Sequence, residues 1–202
     1  MLPTPGVAAE ESRRSPALES LTTSLRASVG LYVLDFGAAN QANIDYFTGL
    51  GHRLYSEDLL YTAASFFRPD EGVADPISGE RIEEFLHLSL NFPFASCNAV
   101  LLWDTLQFLP PGIEQPFIDR IYRIMAPDAA LLAIFHPESA GRVAQPHACR
   151  VLDERTLQLN VKDPARPLKP LNNRNIQHLF QRFTTIKFFL TREHLREVLV
   201  RR

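Results

Sequence analysis

Leu31-Tyr32-Val33-Leu34-Asp35-Phe36-Gly37-Ala38-Ala39-Asn40-Gln41 decides how this chain is read. The stretch begins as an apolar run, residues 29–36, that carries an acid near its tip. Such a run suits a strand covered on both faces, as in a parallel sheet. Gly37 supplies the turn, and residues 40–50 then place Ile44, Phe47 and Leu50 at helical spacing. A strand, an acidic tip, a glycine turn and a helix together form the first unit of a doubly wound α/β fold.

Working outward, Gly51 stands where a helix-ending glycine belongs. Residues 52–56 predict a second strand that ends at Glu57-Asp58. Two β–α–β steps with short loops point to a parallel sheet. Residues 66–80 read as an irregular loop, and residues 81–89 as a helix running into a short third strand. Residues 98–103, Asn-Ala-Val-Leu-Leu-Trp, are a buried strand. A helix over 114–125 turns Phe117, Ile121, Ile124 and Met125 inward, and Pro127-Asp128 leads into a strand over 129–135. After His136-Pro137 the character changes: residues 149–161 alternate as a hairpin does, 175–183 repeat as a helix, and 186–190 and 198–200 read as the last strands.

The 202 residues suit one domain with a sizeable core. Residues 1–15, rich in proline, small residues and charges, are expected to be a disordered tail. Residues 16–202 are expected to form a single domain, opened by a helix at Pro16 with Leu18, Leu21 and Leu25 on one face, and carrying an insertion over 137–170. A net charge of -2 gives no broad attraction to nucleic acid or to an anionic membrane. Cys97 and Cys149 fit no metal spacing and suit a reducing compartment. No histidine pair has the spacing of a metal site, so no metal is expected. No basic-then-apolar leader and no run of ~20 apolar residues is present, so a cytoplasmic protein is expected.

The ordered set of elements over roughly 29–136, with the final helix and strands, resembles the class I S-adenosylmethionine (SAM)-dependent methyltransferases. Residues 35–41 are similar to the family's first motif, acidic-x-Gly-x-Gly-x-Gly, with Ala39 and Gln41 at the second and third glycine positions. The usual Phe-Asp before the fourth-motif strand is Cys97-Asn98 here. The resemblance implies a Rossmann-like, doubly wound, mostly parallel seven-stranded sheet with a C-terminal antiparallel strand, and SAM as cofactor.

It also implies roles. Asp35 would hold the cofactor's ammonium group directly or through water, or else cap the following helix. Gly37 would admit the methionine part, Ala39 would take one methyl group of that space, and Gln41 would take more if it points inward. Asp58 would hold the ribose hydroxyls, with Glu57 as the alternative, unless the pair only starts a helix. Trp103 would wall the pocket or be plain core. Asp104 would contact the acceptor, act as a base or cap a turn. His136 would take an acceptor proton or be structural.

The leading function read from this set is methyl transfer from SAM to a small-molecule or protein acceptor. The alternative is a catalytically inactive methyltransferase-like protein that binds or regulates a protein partner. Gly37-x-Ala39-x-x-Ala42 faintly echoes a nicotinamide dinucleotide loop, but the second glycine is missing and Asp35 would face the pyrophosphate.

Overall fold

The structure, a computed structural model, describes residues 11–67, 77–162, 164–191 and 195–202. In chain order its first elements are β1 (Glu11–Arg14), α1 (Pro16–Leu25), β2 (Tyr32–Asp35), α2 (Gln41–Gly49), β3 (Arg53–Ser56), α3 (Leu59–Phe66) and α4 (Gly79–Ser89). There follow β4 (Cys97–Trp103), α5 (Glu114–Ile124), β5 (Met125–Phe135), β6 (Val143–Ala144), β7 (His147–Val151) and β8 (Thr156–Val161). The last are β9 (Arg166–Pro167), α6 (Asn173–Leu179), β10 (Thr185–Leu190) and β11 (Arg196–Arg201).

The main sheet has the order β10-β11-β5-β4-β2-β3. Strands β3, β2, β4 and β5 run parallel, and β11 runs antiparallel between β5 and β10. Val33 pairs with Leu54 on one side and with Ala99 on the other, so successive strands depart in opposite directions from β2. The loops after β2 and β4 therefore meet at a switch point. Alternation along β4 divides the core. Ala99, Leu101 and Trp103 face a layer with α1, while Val100 and Leu102 face one with α3, α4 and α5.

Among the described residues the main sheet has six strands, where seven were expected. The missing strand is the one placed after residues 81–89. Those residues stay helical: Ser78 caps α4, and Phe85, Leu86 and Ser89 form its buried side. Beyond it, Pro93 has no N–H for a ladder and Ala95 turns at φ 52°, so the chain crosses to β4 without pairing. The loop expected over 66–80 lies largely outside the described residues.

The disordered tail expected over 1–15 is corrected in its last part; residues 1–10 lie outside the described residues. Strand β1 pairs antiparallel with β8, in a small sheet ordered β1-β8-β7. Ser15 then caps α1, accepting from the Leu18 N–H. Glu197 of β11, fully buried, holds this corner together. Its carboxylate accepts from Arg13 Nη2 at 2.6 Å, Ser15 Oγ at 2.9 Å and the Ala17 N–H at 3.0 Å. A buried charge needs this many partners, and the start of α1 adds the favourable end of its dipole. Among the described residues no helix is long and apolar enough to cross a membrane.

Candidate functional site at the strand ends

Asp35 ends β2 at 1% exposure. Its Oδ1 accepts from the Gly37 N–H at 2.9 Å and from Trp103 Nε1 at 2.6 Å. Its Oδ2 accepts from Asn43 Nδ2 at 2.8 Å. Burial pushes the carboxyl up to about 6, against the pull of these three bonds. The helix cap is a different residue, since Asn40 accepts from the Asn43 N–H at 3.0 Å.

Gly37 is required by the indole beside it. A Cβ there would lie 2.9 Å from Trp103 Cδ1, 3.1 Å from Nε1 and 3.2 Å from Asp35 Oδ1. Trp103 itself has φ 52°, rare for a bulky side chain, and at 1% exposure it belongs to the packed layer. Ala39 is exposed. Gln41 is also exposed and turns along its own helix to Asp45 Oδ1 at 2.7 Å, away from the loop.

At the end of β3, Asp58 caps α3, accepting from the Tyr61 N–H at 3.1 Å, and pairs with Lys162 Nζ at 3.2 Å. Glu57 accepts from Thr62 Oγ1 at 2.6 Å. The 137–170 segment lies over this corner. Val151 donates its N–H to Asn43 Oδ1 at 2.8 Å, and Asn43 Nδ2 reaches the Cys149 carbonyl at 3.2 Å.

The second cluster lies past the ends of β4 and β5. Asp104, 1% exposed, accepts on Oδ2 from the His147 N–H at 3.0 Å. The same oxygen stands 2.7 Å from His147 Nδ1 and 3.0 Å from His136 Nε2. The two rings stack, with centroids 5.3 Å apart. Burial works to raise the Asp104 carboxyl, but hydrogen bonds and positive charge from the two histidines hold it below the usual range. The turn Thr105–Phe108 takes no cap from the Asp104 side chain. Gln107 fixes the next residues: its Oε1 accepts from the His136 N–H at 2.6 Å and its Nε2 donates to the Lys169 carbonyl at 2.9 Å.

Thus the structure brings Asp104 and His136 together, and Asp35, Gly37 and Trp103 together, with Glu57 and Asp58 at the neighbouring strand end. His147 escaped the sequence reading. It opens a strand 43 residues after Asp104, and no local pattern marks it. A groove of 540 Å³ opens past the end of β5, lined among others by Pro137, Glu138, Asn172, Arg174 and Arg196; none of the three cluster residues is in its lining.

No protein-family model matches this chain, and no curated protein matches it. Solved structures do. The chain is similar to Burkholderia thailandensis 1,6-didemethyltoxoflavin-N1-methyltransferase, solved with 1,6-didemethyltoxoflavin and S-adenosylhomocysteine, at 18% identity and TM-score 0.51, covering 93% of this chain and 78% of that one. It is similar to a SAM-dependent methyltransferase from Archaeoglobus fulgidus at 11% identity and TM-score 0.53, covering 92% and 94%. The fold is that of the class I SAM-dependent methyltransferases.

SAM in such a fold needs space above the first glycine loop and acids with acceptor positions to spare. Asp35 ends β2, and Asp58 follows β3. The indole fills the direction that a Cβ would take from Gly37, and Asp35 and Asp58 already have protein partners. A carboxylate offers about four acceptor positions, so SAM here would share Asp35 with Gly37, Asn43 and Trp103, and Asp58 with Tyr61 and Lys162.

Proposed function

We propose that this chain is a SAM-dependent methyltransferase acting on a small-molecule or protein acceptor. The observation that supports this most is the Asp104–His136–His147 cluster at the ends of β4 and β5. A carboxylate buried between two imidazoles is expensive to keep as mere filling, and perturbed groups of this kind gather at working sites. In this reading the cluster frees the acceptor's attacking lone pair, and the groove that starts at Pro137, the residue after His136, receives the body of the acceptor. Asp35, Gly37, Ala39, Glu57, Asp58 and Trp103 are the residues around the cofactor. SAM, when bound, supplies the electrophilic methyl group. The chain's own part is alignment and exclusion of water, work that asks for no elaborate catalytic array.

The second reading, an inactive scaffold that binds or regulates a protein partner, is favoured by the packing of Trp103 on Gly37 and Asp35. Trp103 is the only tryptophan, so its emission reports on the loop directly. Titration with S-adenosylhomocysteine, followed by calorimetry and by tryptophan fluorescence, separates the two. The methyltransferase reading expects one ligand per chain with a change in Trp103 emission. No heat and unchanged emission at millimolar ligand would leave the inactive scaffold.

A further inference from the structure

We propose that Asp104, His136 and His147 bind a divalent transition-metal ion. This goes beyond methyl transfer and holds whether or not SAM binds. One ligand atom from each side chain lies within 4.8 Å of the other two, although the residues come from three separate parts of the chain.

Hydrogen bonding alone leaves part of this site unexplained. Oδ2 of Asp104 has three neighbours, the two ring nitrogens and the His147 N–H, whereas Oδ1 is buried and has no hydrogen-bond partner. A buried carboxylate oxygen left bare is costly and calls for a ligand. Among the described residues no lysine or arginine forms an ion pair with Asp104. A cation held between the carboxylate and the two ring nitrogens takes over the positive charge that the two histidines otherwise have to supply. Each imidazole then binds as the neutral ring, with its proton on the far nitrogen, Nδ1 of His136 and Nε2 of His147.

The donor set selects the class of ion. Two imidazoles and one carboxylate suit Zn²⁺, Fe²⁺ or Co²⁺, and lack the all-oxygen shell that Mg²⁺ and Ca²⁺ prefer. Three protein ligands leave coordination positions open, as working sites do and purely structural zinc sites do not. The His147 side chain, 17% exposed, gives the ion access from solvent, while His136 and Asp104 are nearly sealed at 8% and 1%. The supports are in place as well. The His136 N–H is held by Gln107, and its carbonyl accepts from Arg196 Nη2 at 3.0 Å. Such outer contacts fix ligand orientation.

The test uses the full chain, stripped with a chelator and titrated with Co²⁺ in the absence of SAM. One Co²⁺ per chain is expected, with the visible bands of a four- or five-coordinate site, lost on adding Zn²⁺. His147→Ala removes the most exposed ligand and is expected to weaken binding about tenfold or more. His87→Gln, on the exposed side of α4, is expected to leave it unchanged. A folded wild-type chain that shows no such bands in excess Co²⁺ would overturn the proposal, as would full affinity in both His147→Ala and Asp104→Asn. If those variants do not fold, the wild-type spectrum decides alone. S-adenosylhomocysteine binding is scored separately, so either idea can fail without the other.

Discussion

At the scale of the residue, Asp35, Gly37 and Trp103 act as one unit. Gly37→Ala puts a methyl group against the indole and the carboxylate, and such overpacking costs about 1–3 kcal/mol. Denaturant unfolding should show the loss, and a variant as stable as wild type would mean the indole moves freely. The raised carboxyl of Asp35 has a second consequence. Folded, it keeps its proton up to about 6, while the unfolded chain loses it near the ordinary value of 3.8. Between those values the folded state holds more protons, so Asp35's contribution to stability falls as pH rises through that window and levels off above it. The stability difference between wild type and Asp35→Asn, measured by denaturation at several pH values, should follow that slope; a flat difference from pH 4 to 7 would contradict it. Sequence showed an acid, a glycine and a tryptophan at the ends of two strands. It could not show that the tryptophan bends back on the other two, because that depends on Trp103 adopting a positive φ.

At the scale of the element, α1 was legible and β1 was not. Pro16 at the first turn and leucines at helical spacing announce the helix. Glu11-Ser12-Arg13-Arg14 has no apolar alternation, and becomes a strand because β8 and Glu197 give its polar groups partners. Glu197→Ala removes the buried acid to which Arg13, Ser15 and the Ala17 N–H all donate, and losing one member of a buried pair costs about 3–5 kcal/mol. Amide exchange should then quicken across β1 and α1 before the central strands. A loss below about 1 kcal/mol would mean that the corner is held by apolar packing instead. The expected third strand failed in the stretch after α4. The helix expected over 81–89 forms, capped at Ser78 and buried at Phe85 and Leu86, and beyond it Pro93 without an N–H and Ala95 at φ 52° keep the chain from pairing.

At the scale of the whole molecule, the order of strands was legible from alternating apolar runs and helices. What the 137–170 segment does was not. The segment contributes His147 to one cluster, Lys162 to Asp58, and backbone from Cys149 and Val151 to Asn43. These contacts join positions 43 to 108 residues apart, so no local window of sequence contains them. Lys162→Ala removes a pair that is about one-third exposed on each side, and should change stability by less than about 1 kcal/mol. If the methyltransferase reading holds, the same variant frees Asp58 and should tighten S-adenosylhomocysteine binding in calorimetry; unchanged affinity would remove Asp58 from the cofactor site. The clasp between Arg13 and Glu197 also sets a timetable. The two residues are 184 positions apart, and closing such distant contacts is the slow part of folding. As the chain is synthesised, β1 must wait for β8 to pair with and then for β11 to bring Glu197. A strand made before both of its partners is among the last to be secured.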